Sequence, residues 1–128
     1  RLPLASGLLS GKLNRNTPFA DNDHRNFNRD GQKFNVGETF SGLPFEKGLE
    51  LVESLKKLVP ENQVLPQSAL RWVLDFEAVS VVIPGSKNPR QVMDNCAASS
   101  LPPLPPATHE ALSDLYFKEV ASHIRGKY

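Results

Sequence analysis

Apolar positions fall at helical spacing in three stretches of the chain. Over 45–59, Phe45, Leu49, Val52, Leu55 and Leu58 with Val59 recur at steps of three and four, with Glu and Lys on the opposite face. That pattern predicts an amphipathic helix, and Pro60 ends it. A second helix is predicted from near Leu65, with Pro66 tolerated in its first turn and Ala69, Leu70, Val73 and Leu74 facing inward. Leu112, Leu115, Tyr116, Val120 and Ile124 set out a last helix. Between the second and the last, residues 78–83 (Ala-Val-Ser-Val-Val-Ile) form a short β-branched run. Flanked by helical segments, such a run reads as a parallel strand covered on both faces.

The other stretches lack a sustained period. Residues 1–12 read as a strand end running into a Gly/Ser turn. Residues 13–44 are rich in Asn, Asp, Arg and Gly, and a loop of that length is functional or disordered. Its phenylalanines, Phe19, Phe27, Phe34 and Phe40 leading to Phe45, favour an ordered loop packed onto something, because disordered segments are poor in aromatics. Residues 101–106, Leu-Pro-Pro-Leu-Pro-Pro, read as a polyproline-like connector. Only one whole strand is visible, and a lone strand leaves its own backbone groups unsatisfied. The expected fold class is therefore α/β: the last two strand–helix units and the tail helix of a (β/α)8 TIM barrel. Residues 1–128 would form the C-terminal portion of one barrel domain, with 13–44 as a long loop at its C-terminal face. The missing N-terminal part of the same barrel would supply the neighbouring strands, an expectation that the absence of an initiator methionine also prompts.

Composition narrows the function classes. Of the 128 residues, 39% are hydrophobic and 23% charged, which is ordinary for a globular protein. A net charge of +1 asks for neither nucleic acid nor an anionic membrane as partner. The longest apolar run, 81–84, is far too short to cross a bilayer. No leader segment opens the chain, and the single Cys96 fits a reducing compartment, so a cytoplasmic location is expected. Cys96 sits in a helical-looking stretch, where a small buried core residue is the expected role. His24, His109 and His123 are far apart with no ligand spacing, so no metal is expected.

Candidate chemistry concentrates in the turn 83–91. Asn88 as N-cap, Pro89 at the first helical position and Gln91 three residues after the cap open a helix. A helix N-terminus offers N–H groups and a partial positive charge, which attract phosphate. Gly85 permits a tight bend, Ser86 can donate a hydroxyl, and Lys87 and Arg90 add full charges within a turn. The same residues also describe a capped surface helix with solvated cations, and the pattern alone leaves both open. The turn 3–12 (Pro-Leu-Ala-Ser-Gly-Leu-Leu-Ser-Gly-Lys) has glycines, hydroxyls and a lysine too, but matches neither of the Gly-rich nucleotide fingerprints.

These two turns, with the segments 69–99 and 21–50 around and between them, resemble the aldo-keto reductase family, especially a bacterial branch with an Asp-Asp-His-Arg-Asn-Phe-Asn-Arg-Asp-Gly type of loop. The resemblance covers essentially the whole chain. It implies a barrel enzyme that binds NADP(H) and reduces aldehydes or ketones to alcohols by hydride transfer, with a small carbonyl compound as substrate. By the same resemblance Pro3, Leu4, Ala5, Ser6 and Gly7, with Lys12, match the loop along the cofactor pyrophosphate. Gly85, Ser86 and Lys87 match the turn at the adenosine 2′-phosphate. Gln91, Asp94 and Asn95 match helix residues that contact that phosphate and the adenine edge, and Arg90 is a further phosphate ligand. Arg25 matches a basic residue that reaches toward the cofactor. His24, Asn26 and Asn28 either border the substrate opening or belong to a solvated loop with local turn bonds. Trp72 is expected to pack in the core.

The chain departs from the family pattern in two places. Pro105 and Pro106 stand where a Ser or Thr often caps the last helix, which would move its start to Ala107 or Thr108. The family's catalytic Asp, Tyr, Lys and His would lie upstream of Arg1, and Tyr116, Tyr128 and the three histidines do not stand in for them. The 128-residue chain alone would then be inactive. Two alternatives follow: a non-catalytic NADP(H)-binding regulatory or accessory subunit, and an inactive truncated remnant.

Overall fold

Helix α1 (His24–Phe27) is a single turn inside the long loop, capped by Asp23, which accepts a hydrogen bond from the Arg25 amide. Helix α2 (Phe45–Lys56) starts where the apolar spacing places it but ends at Lys56 instead of running on to Pro60, with Glu46 in its first turn and Lys56 in its last, each matched to the helix dipole. In the computed structural model, which describes residues 2–126, its inward face buries Phe45, Gly48, Leu51 and Val52. Of these, Phe45 and Val52 join Ala5, Leu8 and Phe40 in the core. The Phe40 and Phe45 rings lie 4.9 Å apart, and Phe19 approaches Phe45 edge-on at 5.7 Å. Full burial of one such ring is worth about 1.5–3 kcal/mol. The phenylalanine-rich loop is thus folded down onto α2, as its composition predicts. Gly48 allows a close approach, since a Cβ there would stand 2.7 Å from Leu8 Cδ1.

Helix α3 (Leu65–Leu74) carries Pro66 in its first turn and buries Leu70 completely, while Ala69, Val73 and Leu74 are half-buried. Helix α4 (Pro89–Ala97) starts at the predicted cap: Asn88 Oδ1 accepts from the Gln91 amide at 2.9 Å. Helix α5 (Pro106–Leu115) begins at Pro106, earlier than the expected Ala107 or Thr108, because a proline at the first position has no N–H needing a partner. The tail continues through a wide π-type turn, Tyr116–Val120, and a tight one, Ala121–His123, so Ile124 falls outside any helix. Arg1 and Tyr128, named above, lie outside the described residues.

The expected α/β barrel portion does not form. Among the described residues there is no strand and no sheet; the chain is helix, turn and extended linker. Among the described residues the 78–83 run makes only one backbone hydrogen bond, from the Val79 amide to the Phe76 carbonyl, and it leaves Val81 67% and Ile83 83% exposed. β-Branched residues favour an extended backbone, but a strand also needs a second extended segment paired alongside, and none is paired there among the described residues. Residues 2–4 are not a strand end either: Leu2 has φ 47°, and the chain enters a helical turn over Ala5–Ser10. Cys96 is exposed rather than a core residue, because α4 buries none of its residues. Trp72, expected in the core, is exposed, meeting Phe76 edge-on at 4.8 Å and stacking over His109 at 6.5 Å.

Candidate functional site

Three segments enclose a cleft of about 680 Å3: the turn after Leu2, the loop around α1, and the turn leading into α4. In the first wall Ala5, Ser6 and Gly7 all have positive φ, at 47°, 54° and 92°. That backbone is unfavourable for residues with a Cβ and persists where the surroundings hold it. Here the Ser6 hydroxyl is the tether. It donates to the Glu38 carbonyl at 3.3 Å, accepts from the Phe40 amide at 3.1 Å, and lies 3.4 Å from His24 Nε2.

The second wall is Asp23, His24 and Arg25. Arg25 forks onto Asp23, Nε to Oδ1 at 3.0 Å and Nη2 to Oδ2 at 2.6 Å, and its Nη1 donates to the Ser6 carbonyl at 3.4 Å. The guanidinium also lies 4.6 Å over the Phe19 ring. Its hydrogen bonds hold the Asp23 carboxyl down at about 2, with the Arg25 amide assisting and burial opposing. The planar fork is thereby fixed toward the cleft.

The third wall is the turn 84–91. A Cβ on Gly85 would meet nothing within 4 Å, so the cleft, not the protein, lies beside it. Gln91 Oε1 accepts from the Lys87 amide at 2.9 Å, and Asn95 Nδ2 donates to Ser86 Oγ at 2.9 Å. Gln91 and Asn95, one helical turn apart, thus reach back together and hold the Ser86–Lys87 peptide in place.

Of the sequence-predicted residues, Pro3, Leu4, Ser6, Gly7, Arg25, Gly85 and Gln91 line this one cleft. Ala5 turns into the core instead. Lys12 is exposed and outside the lining, its amide bonded to Ser10 Oγ. Ser86, Lys87, Arg90, Asp94 and Asn95 also lie outside the lining; the Arg90 side chain is 91% exposed and 3.8 Å from Asp94. Of the three loop residues left between two roles, His24 lines the cleft. Asn26 bonds the carbonyls of Phe19 and Ala20, a local turn role. Asn28 is fully buried, accepting from the Lys33 and Phe34 amides and donating to Thr39. Asp23 was missed, although an Asp directly before a helical turn is a readable cap signal.

A larger cavity of about 800 Å3 lies among α2, α3 and α5, faced by residues such as Leu51, Leu55, Trp72, Phe76 and Ile124. Its walls are almost wholly apolar, with few groups to orient a polar ligand. Among the described residues, no three His, Cys, Asp or Glu stand together as a metal site, and no helix is long and apolar enough to cross a membrane.

The geometry defines the class of site: a cleft with mixed polar and apolar walls, in which an ion-paired arginine, a hydroxyl-bearing loop and the turn leading into a capped helix come together. Residues 1–116 match the Aldo/keto reductase family. Aldo-keto reductase str7 of Strobilurus tenacellus is 33% identical over 100 residues, which take in 77% of this chain and 27% of that relative. No solved structure matches. The chain belongs to the aldo/keto reductase family, a family of oxidoreductases.

Proposed function

We propose that this protein is an NADP(H)-dependent reductase of aldehydes or ketones, and that the cleft holds the pyrophosphate and adenosine end of the cofactor. One observation carries this reading: the 3–7 turn and the turn into α4, 77 or more residues apart in the chain, share a single cleft with Arg25 between them. The donor set fits a phosphorylated adenylate. Arg25 is held in a planar fork, Gly85 leaves room for close approach, and Gln91 and Asn95 keep the Ser86–Lys87 turn formed in advance. The Lys87 ammonium makes no ion pair among the described residues and stays available to a 2′-phosphate.

When bound, the cofactor would supply a hydride to the carbonyl carbon. The residues of this chain bind and orient it; none of them is assigned a proton transfer to the substrate. The test is differential affinity. Lys87→Ala is expected to weaken NADPH about tenfold, the scale of one charge-assisted contact, and to leave NADH nearly unchanged. Equal loss for both cofactors in a fluorescence titration would sink the 2′-phosphate assignment.

A further inference from the structure

Phe40, Ser41 and Gly42 are three successive residues with positive φ, at 51°, 54° and 80°. Such a run persists only where neighbouring structure over-determines it. Two attachments do so. On one side the Phe40 amide donates to Ser6 Oγ at 3.1 Å. On the other side stands Arg125. Its backbone N–H and its Nε both donate to the Gly42 carbonyl, at 3.1 and 3.0 Å. Its Nη2 donates to the carbonyls of Leu43 at 3.2 Å and Arg29 at 3.3 Å, and its Nη1 pairs with Asp30 at 2.6 Å. One guanidinium therefore gathers acceptors from both ends of the 29–43 segment. The backbones touch as well: a Cβ on Gly42 would lie 2.5 Å from the Arg125 carbonyl oxygen.

The other end of this assembly is a wall of the cleft. Ser6 adopts its own left-handed conformation because Glu38 and Phe40 hold its hydroxyl, and those residues belong to the segment that Arg125 grips. We infer that Arg125 is a positioning residue for the cleft: it fixes 40–43, which in turn presents Ser6 and Gly7 to the ligand. The guanidinium is needed because a lysine ammonium cannot span these diverging carbonyls. The inference rests on the reading of the cleft as the cofactor site, and the test separates the two.

The full chain is compared with its Arg125→Lys, Arg125→Ala and Asp30→Ala variants by amide hydrogen exchange and by NADPH titration. Arg125→Lys is expected to speed exchange of the Phe40 amide and of residues 4–10 about tenfold, and to raise the Kd for NADPH by a similar factor. Asp30→Ala removes only an exposed ion pair and leaves both readouts as they were. If Arg125→Ala fails to fold, Arg125→Lys still carries the comparison. Wild-type exchange and wild-type Kd in Arg125→Lys would overturn the inference, as would a lowered Tm with unchanged Kd. If the unsubstituted protein binds no NADPH, the cofactor reading falls, and exchange at residues 4–10 alone decides whether Arg125 sets Ser6.

Discussion

His109 Nε2 meets Asp75 Oδ2 at 2.9 Å, joining α5 to the end of α3 across 34 residues of sequence. The same carboxylate accepts from the Leu104 amide at 2.9 Å and from Arg71 Nε at 2.8 Å. Asp75 is only 6% exposed, so a single side chain fastens α3, the proline-rich connector and the tail helix together. Burial alone would push its carboxyl up. The Leu104 amide, His109 and Arg71 outweigh that and leave it below the ordinary 3.8.

Replacing this carboxylate strands its donors. Asp75→Ala leaves Arg71, 13% exposed, with a nearly buried and uncompensated charge. The expected cost is about 3–5 kcal/mol, the usual range for breaking a buried pair from one side. Urea unfolding measures it. A loss under about 1 kcal/mol would show that the connector and α5 hold without Asp75.

Asp23 makes the fold sensitive to acid in a defined window. Its carboxyl is lowered from 3.8 to about 2, chiefly by the Arg25 hydrogen bonds. A depressed carboxyl contributes stability that is complete above 3.8 and is lost as pH falls through about 2. Arg25→Gln is expected to return Asp23 toward 3.8 and to flatten the fall in stability over that interval. Carbon-detected NMR titration of the Asp23 carboxyl checks the first, and thermal melts at stepped pH check the second. An unmoved titration curve would mean that Arg25 is not what holds Asp23 down.

Gly85 offers a clean separation of folding from binding. Its missing Cβ would touch nothing within 4 Å, and its φ is not positive. Gly85→Val is therefore expected to change stability by no more than about 0.5 kcal/mol. In the proposed site it would obstruct the approach of the adenosine phosphate and raise the Kd for NADPH about tenfold or more. Calorimetric titration beside a melting curve distinguishes the two effects.

What was legible in the sequence was local. The steps from Phe45 to Leu55, the Asn88–Pro89–Gln91 start signal and the clustered phenylalanines each report on a few neighbouring residues, and each appears in the fold. The 78–83 run was misread because propensity speaks for the backbone's shape while pairing depends on another segment. Cys96 was misplaced because a helical pattern does not say whether anything covers the helix, and α4 buries none of its residues. At the cleft, glycines and cations marked the two turns, and the family resemblance supplied the roles. The Ser6–Phe40 tether could not be read, since its partners are 34 residues apart with no motif between them. Asn28 shows the same limit. Its three bonds reach as far as Thr39, and an asparagine in a polar loop carries no mark of complete burial.

The extended run from Ser80 to Ile83 carries a liability of its own. Its amide and carbonyl groups have no backbone partner among the described residues, and branched side chains project beside them. Such an edge is a template onto which a second molecule can add its own matching run. At high concentration the chain would therefore stick to itself there before any helix melts.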